Sequence, residues 1–243
     1  MPYRRLPNTD KARSRALERA YKKLELEGPT KVPYTEATLS ALSVFVTKFH
    51  RAIITAEASK NNQVQKNKEY TELQRKARMY VSHFIQVVNF GILRGELKPE
   101  IRKFYELEKF GSSLPPLNSD NDLLVWGKKL IDGDQKRIMN GGNPIYNPSI
   151  ALVKVNYEKF VDGYRFQKIL QSTTDRNSNL VTELRNEADQ LILKLWNEIE
   201  AAFEHLPDQL KRKKAEQYGV VYVYRKGEIR KMEVINAQHQ LAF

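Results

Sequence analysis

The side chains with chemical potential in this chain are mainly guanidinium and ammonium groups, and they gather at its two ends. Arg4 and Arg5 precede a segment carrying Lys11, Arg13, Arg15, Arg19, Lys22 and Lys23. Towards the other end, Lys211, Arg212, Lys213 and Lys214 form an unbroken run, followed by Arg225, Lys226, Arg230 and Lys231. Residues 1–23 hold eight basic side chains against Asp10 and Glu18, and residues 209–231 hold eight against Glu216 and Glu228. Residues 24–208 carry 25 basic and 24 acidic side chains, so the formal excess of +12 belongs to the ends. Two basic ends on a neutral body imply a localised electropositive surface. A basic helix followed by a basic ribbon bearing Tyr222 and Tyr224 suits contact with phosphates and stacking on bases. A solvated charged face has the same composition. The residues expected to touch phosphate or a partner are Arg4, Arg5, Arg15, Arg19, Lys211, Arg212, Lys213, Lys214, Arg225, Lys226, Arg230 and Lys231.

Catalytic spacings are missing. The sequence has no P-loop, no G-x-G-x-x-G, no G-x-S-x-G and no H-E-x-x-H. A carboxylate di-metal site in a helical bundle needs Glu-x-x-His pairs, but Thr47, Tyr80 and Ala202 stand three residues before His50, His83 and His205. Asp120 and Asp122 sit where acids cap a helix, and Asp132-Gly133-Asp134 lacks the ligand spacing of a calcium loop. His50 is expected to face solvent, and His83 to sit on a flank or in the core with a hydrogen-bond partner. Tyr157, Phe160, Tyr164 and Phe166 either line a pocket or fill the core, and helical spacing favours the core. There is no cysteine, which removes disulfides, thiolate metal sites and cysteine nucleophiles. The expectation is a protein that is not an enzyme and needs no metal or cofactor.

The elements that must position these groups are helices. Asn8 or Thr9 can cap a helix running to about residue 26, broken by Gly28, Pro29 and Pro33. Thr35 can cap a second, whose apolar residues Leu39, Leu42, Val46, Phe49, Ile53 and Ala56 recur at spacings of three and four. Residues 59–68 are polar and predict a helix end and a turn, with a third helix over residues 69–93. Pro99 opens a short helix ending at Phe110-Gly111. The order then repeats about 111 residues later. Leu39, Leu42, Phe49 and Ile53 answer to Ile150, Val153, Phe160 and Tyr164; Tyr70, Leu73, Ala77 and Phe84 answer to Val181, Leu184, Ala188 and Leu195. A helix is expected over residues 121–139. Two long helices follow, separated by a polar turn at residues 173–179, and a short helix from Pro207 ends at Tyr218-Gly219. A shared order at one offset marks an internal duplication. The β-branched and aromatic residues 220–224, a turn at Lys226-Gly227 and a return over residues 228–235 predict a β-hairpin.

The opening, Met1-Pro2-Tyr3-Arg4-Arg5-Leu6-Pro7-Asn8-Thr9-Asp10, resembles the start of an uncharacterised family of bacterial helical proteins. The resemblance covers this decapeptide and the general helical layout. It implies a bacterial cytoplasmic protein and carries no activity. The absence of a signal-peptide-like start and of any long apolar stretch agrees with a cytoplasmic protein that meets no membrane. The expected fold is all-α: an internally duplicated antiparallel four-helix bundle with short connecting helices and a small C-terminal β-hairpin. Its parts are a first repeat over residues 1–112, a second over 113–219 and a tail over 220–243, the repeats packing as one domain. The expected function is that of a non-enzymatic interaction or structural protein, with a protein partner or self-association. The alternative is a nucleic-acid-associated protein that binds phosphates through its basic ends.

Overall fold

The computed structural model describes residues 2–225, 227 and 228, and is mostly helical with one small antiparallel strand pair. The helices are α1 (Asp10–Glu27), α2 (Glu36–Leu93), α3 (Asp120–Met139), α4 (Ile150–Ala202) and α5 (Asp208–Gln217). Two 3-10 helices, Pro99–Tyr105 and Glu108–Phe110, lie between α2 and α3. Among the described residues, no helix is long and apolar enough to cross a membrane.

Capping residues start the helices where the sequence places them. Thr9 Oγ1 accepts the Ala12 N–H at 3.2 Å, and Thr35 Oγ1 lies 3.4 Å from the Thr38 nitrogen. Ser119 and Asp122 form a reciprocal capping box at the start of α3. Gly219 follows α5 at φ +95°, a backbone conformation glycine adopts without a Cβ penalty. An added Cβ there would meet the Ala16 carbonyl oxygen at 3.0 Å, so the chain after α5 rests directly on α1.

The two expected turns do not form. Residues 59–68 and 173–179 are helical throughout, making α2 and α4 single helices of 58 and 53 residues. Neither polar segment contains glycine or proline, so nothing breaks the backbone hydrogen-bond ladder. The seam also persists: Ser59, Gln63, Lys66 and Tyr70 are half-buried at spacings of four, three and four. Polarity reports a less buried stretch of helix here, not its end.

The chain forms two compact units, Met1–Ala58 with Asp175–Phe243, and Ser59–Thr174. These do not coincide with the sequence divisions at residues 112 and 219. Each unit takes part of one sequence copy and part of the other, because α2 and α4 both continue from one unit into the next.

The first unit buries Ala16, Leu17 and Ala20 of α1 against Leu42, Phe45 and Phe49 of α2 and Ala188, Ile192 and Trp196 of α4. Ala215, Tyr218 and Val220 complete this core. Glu198 of α4 accepts from the Thr35 N–H at 3.0 Å and from the Thr38 hydroxyl at 2.7 Å, while Lys48 lies 3.3 Å from Glu187. Rising numbers on α2 against falling numbers on α4 make the two helices antiparallel in this unit. The strand pair joins β1 (Tyr3–Arg4) to β2 (Tyr222–Val223), with Tyr3 opposite Val223 and Arg4 opposite Tyr222. The second strand is thus the N-terminus of the chain, whereas the sequence suggests a hairpin closing on the tail. Gly227 and Glu228 sit in a helical turn, and the expected return over residues 229–235 lies outside the described residues.

The second unit packs α3, through Leu123, Trp126 and Leu130, against Ala77, Phe84 and Val88 of α2 and Val153 and Phe160 of α4. Tyr105 and Leu107, from the segment of 3-10 helices, are fully buried in the same core. The Trp126 ring stands edge-on to Phe110 at 5.3 Å. Gly127 lets α3 approach α4 closely, since a Cβ there would fall 2.2 Å from Cδ2 of Tyr157. Phe160, with Tyr157 and Tyr164 packed on it, belongs to this core, whereas Phe166 is turned outward.

Candidate functional site

The antiparallel strand pair brings the basic ends of the chain together in the first unit, and tertiary contacts then sort their arginines. Arg13 is consumed by structure: its Nε and Nη2 donate to the two carboxylate oxygens of Asp189 at 2.7 and 2.9 Å. Arg185 makes the same fork to Asp10 at 2.9 and 2.8 Å. The Arg185 hydrogen bond holds the Asp10 carboxyl below the usual carboxylate range against an opposing burial effect, with Arg13 assisting. Arg4 is consumed too. Its Nη1 donates to Asn197 at 2.8 Å and to Glu200 at 3.0 Å. The Tyr222 hydroxyl donates to the other Glu200 oxygen at 2.6 Å, so one carboxylate anchors both strands. Burial, and then this hydrogen bond, push the Tyr222 hydroxyl's pKa upward.

Arg5, Arg15 and Arg19 behave differently. Among the described residues, none of the three side chains makes an ion pair or a hydrogen bond, and all three residues are exposed. They line one groove of about 280 Å³ together with Leu6, Ala12, Trp196 and Val221, and among the described residues no acidic side chain lines it. Local structure explains the convergence. Ala12, Arg15, Ala16 and Arg19 recur at helical spacing on one face of α1. Arg5 is held over that face by its backbone N–H, which donates to the Val221 carbonyl at 2.9 Å. Trp196, itself buried, supplies an apolar wall.

The other described contact residues do not line this groove. Arg212 pairs with Asp208 at 3.5 Å, and the Lys214 ammonium lies 5.6 Å from the Phe203 ring centre. Lys211 is half-buried and Lys213 is exposed on α5. Arg225 is exposed, and its backbone N–H donates to Glu228 at 3.0 Å. Lys226, Arg230 and Lys231 lie outside the described residues. Larger open depressions of about 440 and 480 Å³ flank α2 near His50 and near Lys48. The first contains the exposed His50, whose Nδ1 lies 2.9 Å from Glu18. His83 is exposed as well, so it is not a core residue.

One charged cluster is not apparent in the sequence. Asp134 and Arg137 are 1% and 3% exposed in the second unit. Asp134 Oδ1 accepts from Arg137 Nε and Nη2 at 2.9 and 2.8 Å and from the Tyr105 hydroxyl at 2.6 Å. The available signal is an Asp and Arg three apart on a helix beside Gly133, where a Cβ would strike the Phe104 carbonyl oxygen at 2.3 Å. The cluster is sealed in the core, which makes it a packing device joining α3 to the 3-10 helix at Pro99–Tyr105. Among the described residues, no group of three His, Cys, Asp or Glu side chains is arranged to hold a metal ion.

No protein-family model, curated protein or solved structure matches the chain.

Proposed function

We propose that this chain is a non-enzymatic helical interaction protein that grips an anionic partner in the arginine groove of its first unit. The observation that supports this is the convergence of Arg5, Arg15 and Arg19, unpaired among the described residues, on a groove lined by no acid. Guanidinium groups do not release protons near neutral pH, so they favour holding an anion over general acid or base work. Nucleic-acid phosphates are the partner class favoured by a second observation. The first unit carries 22 basic against 17 acidic side chains and the second 19 against 12, so the excess is not confined to the unit that holds the chain ends, and both units attract a polyanion.

We also read the architecture as a duplicated helical bundle in a bacterial cytoplasmic protein. Reciprocal ties support the duplication. Asp10 at the start of α1 is held by Arg185, and Asp120 at the start of α3 is held by Gln74. The two aspartates are 110 residues apart, and their partners are 111 apart. Each short helix thus pins to the long helix of the other sequence copy.

The test is fluorescence anisotropy against labelled single- and double-stranded DNA and RNA. Three phosphates on three arginines predict an affinity loss of about 40-fold between 50 and 200 mM salt, from a slope near 0.9 per contact. The triple variant R5A/R15A/R19A should bind at least about tenfold more weakly, and neutralising residues 211–214 should weaken binding less. Binding by the triple variant equal to wild type refutes the groove. Absence of binding to any nucleic acid at 50 mM salt refutes the polyanion reading and leaves the groove to an acidic protein segment.

A further inference from the structure

The outward face of α4 carries a second seam, separate from the one in the core. Leu152, Val155, Lys159, Asp162, Phe166 and Ile169 recur at spacings of three, four, three, four and three. At about 100° per residue this row stands roughly 130° around the helix from the buried row of Val153, Phe160 and Gln167. Its apolar members are 49%, 47%, 48% and 62% exposed in chain order, and both charged members are exposed. A heptad row of large apolar residues pointing at solvent over 18 residues is a docking surface without its occupant.

The order of residue types identifies the occupant. Two apolar residues, a cation, an anion and two apolar residues form a self-complementary string. Laid antiparallel on itself, it sets Leu152 on the partner's Ile169, Val155 on the partner's Phe166, and Lys159 on the partner's Asp162. Twofold symmetry makes every one of these contacts twice. The flank agrees, because Glu158 falls beside the partner's Arg165. Within the chain these charges make only loose contacts, Asp162 with Arg165 and Lys154 with Glu158, each at 3.9 Å. The matching positions 111 residues earlier are Ala41, Val44, Lys48, Arg51, Thr55 and Ala58, which have no anion to pair and fewer large apolar groups. The surface therefore belongs to α4 alone and departs from the repeat.

We propose that the chain forms a twofold homodimer by antiparallel pairing of the outward faces of α4, centred between Lys159 and Asp162. This is independent of the arginine groove, which lies in the other unit. Sedimentation velocity over about 1 to 200 µM chain tests it, a range that covers weak association through a small interface. K159D and D162K each set like charges across the axis and should weaken dimerisation about tenfold or more. The double variant K159D/D162K restores opposite charges across an antiparallel axis and should recover wild-type association to within about threefold. F166D should be monomeric with an unchanged helical circular dichroism spectrum. A wild-type monomer at 200 µM overturns the proposal. So does a double variant as weak as the singles, since that pattern excludes the antiparallel register.

Discussion

Replacing Arg137 with methionine should be among the most damaging single changes in the second unit. The Arg137 side chain is 3% exposed and its Asp134 partner 1%. Its Nε donates to Asp134 at 2.9 Å and to the Tyr105 hydroxyl at 2.8 Å, while Nη1 donates to the Asn143 carbonyl at 2.7 Å. Methionine fills much of the same volume, so the loss is electrostatic and not a cavity. It strands a carboxylate in a closed site with Tyr105 as its remaining hydrogen-bond donor there. Breaking a buried pair from one side costs about 3–5 kcal/mol, a large share of the 5–15 kcal/mol that a domain has. Removing both charges in D134N/R137M should recover about 2 kcal/mol or more, because no isolated charge is left behind. The chain provides its own probe: Trp126 lies in the core of the second unit and Trp196 in that of the first. Urea unfolding followed by tryptophan fluorescence in a W196F background therefore reports on Trp126 alone. An R137M variant within about 1 kcal/mol of its background would refute the reasoning, as would a double variant no more stable than the single.

Gly127→Ala sets two effects against each other. Alanine gains about 1 kcal/mol of helix propensity, but its Cβ would lie 2.2 Å from the Tyr157 ring, and overpacking costs about 1–3 kcal/mol. Net destabilisation by about 1 kcal/mol is expected in thermal unfolding, and a more stable variant would show that the ring yields freely. Asp10→Asn should cost about 1 kcal/mol at pH 7, where the wild-type carboxylate accepts the Arg185 fork at the N-terminus of α1. The folded carboxyl is held below its unfolded pKa, so its stabilising contribution is full above the unfolded value. It is lost as pH falls through the folded one. The gap between wild type and variant in urea midpoint should therefore narrow as pH falls below the ordinary carboxylate range; a gap that stays constant through the acid range would contradict this origin.

The helix starts were legible because capping is local. Thr9 and Thr35 need only the next three residues to act, and they act where the sequence puts them. The buried faces of α2 and α4 were legible for the same reason, since three-and-four spacing is a property of one helix. The unbroken run through residues 59–68 was misread because polarity imitates a turn. The physical requirement for a turn is a broken backbone, and no glycine or proline is present to break it. Phe166 shows a similar limit: it lies two residues from Tyr164, yet it faces solvent while Tyr164 packs on the core, because they stand on different sides of one helix.

The arginines mark the boundary most clearly. By itself the sequence determined that sixteen cations cluster near the two ends and that helices would carry most of them. Only the tertiary structure decided which cations remained available. It brought Asp189 to Arg13, and Glu200 to Arg4 and Tyr222, while leaving Arg5, Arg15 and Arg19 around a groove lined by no acid among the described residues. Helical periodicity arises from contacts within a few residues, so composition and spacing reveal it. Ion pairing depends on distance in space, and partners more than 170 residues apart in the chain are chosen only when the long helices and the terminal strands come together.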